Sequence, residues 1–183
     1  MARSRIDVRL LFATRITRLF AYGALSVVLA LYLAAIGLDE GRIGLLFSLT
    51  LAGDAAVTLT ITTTADRLGR RRSLMLGAAL MALAGAAFLL TRQPTLLLLA
   101  AIIGVISPSG NEIGPFLAIE QAGLAQILPD ARRTQVFAWY NLVGSLATAA
   151  GALAGGLLVQ ALQSDGRSSV NAYQAVLLGY ALC

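Results

Sequence analysis

The stretch Thr62–Met75, TTTADRLGRRRSLM, packs Asp66, Arg67, Arg70, Arg71 and Arg72 into seven positions between two segments that carry almost no charge. A helix needs about twenty mostly apolar residues to cross roughly 30 Å of hydrocarbon, and each flanking segment is of that order. A basic knot between two such runs reads as a turn at a membrane surface. Gly69 gives the backbone the freedom to reverse there, and the arginines sit at anionic headgroups and fix topology.

Composition points the same way. The chain has 183 residues, 58% of them hydrophobic and 13% charged, with mean hydropathy +0.80. A water-soluble domain is nearer 45–50% apolar and about 25% charged. All fourteen basic residues are arginines at the ends of apolar runs rather than along one face, which argues against a nucleic-acid partner. Histidine is absent, and the single cysteine, Cys183, is the last residue. Proton chemistry therefore falls to carboxylates. No Cys/His metal spacing, histidine-based triad or phosphate-binding loop is present, so neither a metal, a cofactor nor an enzymatic reaction is expected.

The apolar runs predict an all-α, polytopic transmembrane helix bundle with helices near 19–36, 43–64, 73–91, 95–128, 136–162 and 170–183. The first extends backward through Arg15 and Arg18, and the fourth is interrupted by SPSGNEIGP, Ser107–Pro115. The last run, Val170–Cys183, is about 21 Å long at 1.5 Å per residue, too short to span. The sixth helix is thus read as truncated and the chain as the N-terminal part of a longer one, its C-terminal half missing. An N-terminal basic stretch before an apolar run could be a secretory signal, but the first run is already long enough to span and five more follow.

Arginine counts set the expected orientation. Arg3, Arg5, Arg9, Arg15, Arg18, Arg67, Arg70, Arg71, Arg72, Arg132 and Arg133 fall on one side; Arg42, Arg92 and Arg167 fall on the other. This places the N-terminus in the cytoplasm of a cell (inner or plasma) membrane protein.

DRLGRRR between the second and third helices, together with the helix spacing and the second basic loop LPDARR, resembles the signature loop of the major facilitator superfamily (MFS) of secondary transporters. The resemblance covers essentially the whole chain and implies the N-terminal six-helix half of such a transporter. By position, Asp66, Arg67, Gly69, Arg70 and Arg71 would form the cytoplasmic gate motif that latches the two halves. The chain departs from the pattern at Thr62, where the family often has glycine. It departs again at Gln126, near where an acidic partner for the signature arginine commonly lies. GALAGG, Gly151–Gly156, resembles the end of a glycine-rich antiporter motif, with Ala152 in place of proline. Gly151, Gly155 and Gly156 are equally a small-residue packing face, since Gly151 and Gly155 form a G-x-x-x-G pair.

Ionisable groups at membrane depth are costly and mark function by default. Asp54 lies near the midplane of the second helix and is a proton or cation candidate, with a structural hydrogen bond as the alternative. Asn111 and Glu112 sit in the broken stretch of the fourth helix, where Pro108 and Pro115 remove backbone donors; such interruptions often build transporter sites. Arg18, Tyr22 and Ser26 recur at i, i+4 and i+8 on one face and could line the cavity; alternatively Arg18 snorkels and Tyr22 packs. Glu120 is read as a packing or gate residue, and Trp139 as part of an interfacial aromatic belt. The expectation is a proton-coupled secondary transporter moving a small solute, cationic or neutral rather than anionic, through a lipid bilayer by alternating access. A non-transporting scaffold or sensor of the same fold is the other reading, and buried acids argue against it.

Overall fold

The structure, a computed structural model, describes residues 2–104, 106, 108, 110 and 115–183, with the side chains of residues 2–7, Asp66 and Leu68 outside that description. Seven helices account for most of it: α1 Ala2–Ala35, α2 Glu40–Leu68, α3 Arg70–Leu90, α4 Pro94–Ile103, α5 Phe116–Ile127, α6 Asp130–Ser164 and α7 Ser169–Leu182. Four of them, α1, α2, α3 and α6, are long and apolar enough to cross a membrane. The chain is a helical membrane protein.

Local sequence sets the helix ends. Asp39 caps α2, its Oδ1 accepting the Arg42 N–H at 2.9 Å, and Ser168 caps α7 through the Asn171 N–H. Pro94 opens α4, where its missing N–H costs nothing. α4 and α5 are the two parts of the fourth apolar run, which stops at Ile103 and resumes at Phe116.

The turn between α2 and α3 is tighter than the eight-residue loop the charge cluster suggests. Gly69 alone separates the helices, at φ 87°. Arginine is a good helix former, so Arg70–Arg72 join the first turn of α3 and reach the aqueous side through their long side chains. α1 likewise begins at Ala2 rather than near Leu19, because its arginines continue the helix out of the apolar layer.

α1 packs most extensively on α6, and also meets α7, α2 and α5; α3 meets α7, α4 and α2. The α1–α6 contact is a backbone-to-backbone approach. A Cβ on Gly23 would lie 2.0 Å from the Thr148 carbonyl oxygen, and one on Gly151 would lie 2.0 Å from that of Phe20. Gly155 sits against Ala24 in the same seam. Gly156, expected to share it, instead faces open space, since it is one residue, or about 100° of helix turn, away from Gly155.

The interior is filled by Tyr22, Leu25, Leu29, Leu33, Phe88, Leu97 and Leu177. The outside is equally apolar, with Leu59, Leu83, Leu146 and Leu153 each 60% or more exposed. In water such a surface would aggregate; in lipid it is the solvated face.

Candidate functional site

At the arginine-rich end of the bundle α1, α5 and α6 converge on one buried carboxylate. Arg18 grips Glu120 with two parallel hydrogen bonds, Nη1 to Oε1 at 3.0 Å and Nη2 to Oε2 at 2.9 Å. The Tyr140 hydroxyl donates to the same Oε2 at 2.5 Å. Arg18 is 6% exposed and Glu120 2%. The guanidinium also lies 4.2 Å from the Phe116 ring centroid. A bidentate pair with an added hydroxyl donor is the geometry in which a buried ion pair offsets its desolvation.

One turn away on α1, Arg15 is buried over the Tyr140 ring at 4.2 Å and donates to Asn141 Oδ1 at 3.4 Å. Gly144 makes room for it: a Cβ there would lie 2.8 Å from Arg15 Nε. Arg15, Gly110, Asn141, Ser145 and Thr148 line a cavity of about 550 Å³ between α1 and α6. A second cavity of about 480 Å³, apolar apart from Thr14, Arg18, Glu120 and Arg71, opens between α1 and α3.

The stripe read from α1 does not present one surface. Arg18 is held by Glu120, while Tyr22 is fully buried with its ring 6.0 Å from that of Tyr180. Ser26 donates to the Gly23 carbonyl at 2.8 Å and lies beside Gly110. Asn111 and Glu112 lie outside the described residues.

α2 carries the other buried acid. Asp54 is 0% exposed, and neither of its carboxylate oxygens has a hydrogen-bond partner. The threonines around it behave differently from one another. Thr50, Thr60, Thr62, Thr63 and Thr64 each donate to the carbonyl four residues back, which satisfies a hydroxyl in an apolar layer. The Thr58 hydroxyl, one turn after Asp54, is buried and makes no such bond.

The signature segment gathers around the last turn of α5. Arg70 Nη1 donates to Gln126 Oε1 at 2.7 Å, so the glutamine fills the partner position. From α6, Arg133 donates to the Ala125 carbonyl at 2.8 Å and pairs with Asp130 at 2.7 Å. Two cations at a helix C-terminus complement its dipole. Arg67 is exposed, Arg71 rims the apolar cavity, and the Asp66 side chain lies outside the description.

Sequence reading gave Arg15, Tyr140, Asn141 and Thr58 no place in a site, and left Arg18 and Glu120 unpaired. A signal for the pair existed: a lone base and a lone acid in adjacent apolar helices have strong reason to find each other. Nothing comparable distinguishes Thr58 from the other threonines.

The sequence matches the Major Facilitator Superfamily profile over residues 11–182. This chain belongs to the major facilitator superfamily. Among its relatives, a Saccharomyces cerevisiae protein named uncharacterized membrane protein YJR124C is 44% identical over 96% of this chain. A Bacillus subtilis protein named uncharacterized MFS-type transporter YhjO is 31% identical over 62% of the chain. The chain spans 40% of the yeast protein's length and its match covers 27% of the bacterial one. No solved structure matches it. Family and fold together make this MFS member a multi-pass membrane protein of a transporter family.

Proposed function

We propose that the protein is a secondary active transporter that moves a small solute across the cell membrane by alternating access, coupled to protons. In this reading the chain is the N-terminal half, the N-terminus and the α2–α3 turn are cytoplasmic, and a second helical half completes the pathway. The observation that carries it is the burial of ionisable side chains, Asp54 and the Arg18–Glu120 pair, inside helices of a membrane bundle. A scaffold has little reason to hold such groups in lipid, whereas a transporter uses them to bind and to switch. The polar cavity walled by Asn141, Ser145 and Thr148 is where the solute sits. Asp54 is the coupling acid, with Asn111 and Glu112 as further candidates. The Arg70–Gln126 and Arg133–Ala125 contacts hold the cytoplasmic end of α5 and form the latch.

The test is reconstitution of the complete protein in liposomes with a trapped pH-sensitive dye, screened against a solute panel. At least one solute should evoke proton movement, and Arg70→Ala should insert normally but transport at least about tenfold more slowly. A panel with no response, or an Arg70→Ala variant as fast as wild type, would remove the transporter reading or the latch respectively.

A further inference from the structure

The cavity between α1 and α6 has a charged end and an apolar end. Among the described residues that line it, Arg15 is the charged one; Asn141 and Ser145 share its end, and Leu19, Ala149 and Ala152 belong to the apolar remainder. From Asn141 to Ala152 is eleven residues of α6, or about 16 Å at 1.5 Å per residue. A volume of about 550 Å³ suits one small organic molecule.

At the charged end Arg15 is held in place. It is 5% exposed, its guanidinium lies over the Tyr140 ring, and it donates to Asn141 Oδ1. Gly144 leaves the space that its Nε occupies. A side chain fixed in this way is pre-organised, so a ligand gains from it without having to order it. The groups beside it are donors as well. Because Asn141 already accepts through Oδ1, its amide has N–H left to offer, and Ser145 adds a hydroxyl. Further along, the wall loses its polarity. Thr148 turns its hydroxyl back onto the Gly144 carbonyl at 3.2 Å, and a Cβ on Gly110 would lie 3.5 Å from the Thr148 methyl group.

A cation in the wall of a low-dielectric cavity draws in negative charge and repels positive charge. A guanidinium with an amide N–H beside it matches the two oxygens of a carboxylate. One arginine balances one charge, which favours a monocarboxylate over a phosphate ester carrying about 1.5–2 charges. We propose that this cavity takes a small monocarboxylate, its carboxylate on Arg15 and Asn141 and its apolar body lying along α6 toward Ala152. The assignment rests on the transporter reading for the cavity being the solute's seat, and deepens it by naming the solute's class. The sequence expectation of a cationic or neutral solute counted Arg15 among the topology-setting arginines. Its burial against α6 makes it part of the cavity wall instead.

Binding is measured apart from transport, on the complete protein in detergent. The probes are lactate, benzoate and hexanoate, each beside its neutral amide, with benzylamine and hexylamine as cations. At least one carboxylate should raise the melting temperature saturably, while its amide and the amines leave it unchanged. Arg15→Gln should weaken that binding about thirtyfold or more, and Ser145→Ala about threefold to tenfold. Asn141→Asp keeps Arg15 but sets a carboxylate beside it, and should abolish binding; it carries the test if Arg15→Gln does not fold. Gel filtration and the melting curve without probe establish which variants are folded. The proposal is overturned if no carboxylate stabilises wild type, if amides or amines do so as well as the acids, or if a folded Arg15→Gln or Asn141→Asp variant binds as wild type does. Carboxylate binding without transport of any solute would sink only the transporter reading. Transport of an amine without carboxylate binding would sink only this assignment.

Discussion

Glu120 accepts two hydrogen bonds from Arg18 and one from Tyr140 while almost excluded from solvent. Removing one partner of such a pair is costly because the other charge stays buried. Arg18→Leu should therefore destabilise by about 3–5 kcal/mol, and the double variant Arg18→Leu/Glu120→Leu by markedly less. Tyr140→Phe should cost about 1.5–3 kcal/mol, the worth of a hydrogen bond to a charged group. Unfolding curves for wild type, Arg18→Leu, Glu120→Leu and the double variant in mild detergent form the cycle; purely additive effects would contradict direct coupling. That Arg18 and Glu120 stand apart from their neighbours was legible from the rarity of charge in apolar helices. Their pairing was not, because they are separated by most of the chain and only the packing of α5 on α1 brings them together.

Among elements, the α1–α6 seam is the closest approach. Gly151→Ala would drive a methyl group into the Phe20 carbonyl, so the helices must part, at a cost of about 1–3 kcal/mol or more. Gly156→Ala meets open space and should stabilise by up to about 1 kcal/mol through helix propensity. Equal melting temperatures for the two variants would show that the seam tolerates separation. The small-residue motif was visible in the sequence, but membership of the seam was not: adjacent glycines point in different directions, and the rotation of α6 against α1 decides which is buried. In the same way the charge cluster marked a turn, while its contraction to Gly69 followed from the readiness of Arg70–Arg72 to continue a helix.

For the whole molecule, topology is the property to test. In a Cys183→Ser background, Arg67→Cys should react with a thiol reagent only from the cytoplasmic side and Glu40→Cys only from the opposite side; both residues are exposed at opposite ends of α2. The reverse pattern would invert the proposed orientation and move the latch to the outer face. The arginine bias argues for the first outcome, because short basic loops are retained in the cytoplasm.

The sequence alone determined that this is a bundle of membrane-crossing helices, where its turns lie, and which superfamily it resembles. Those follow from local properties: apolar length, the position of glycine and proline, and arginines at the ends of runs. Tertiary structure alone decided that Glu120 receives both Arg18 and Tyr140, that Gln126 and Ala125 receive Arg70 and Arg133, and that the Asp54 oxygens and the Thr58 hydroxyl are buried without a hydrogen-bond partner. In lipid, helices are all apolar outside, so hydrophobic pattern does not specify how they rotate against one another. Close glycine contacts and a few buried polar groups do, and those act only across the packed bundle.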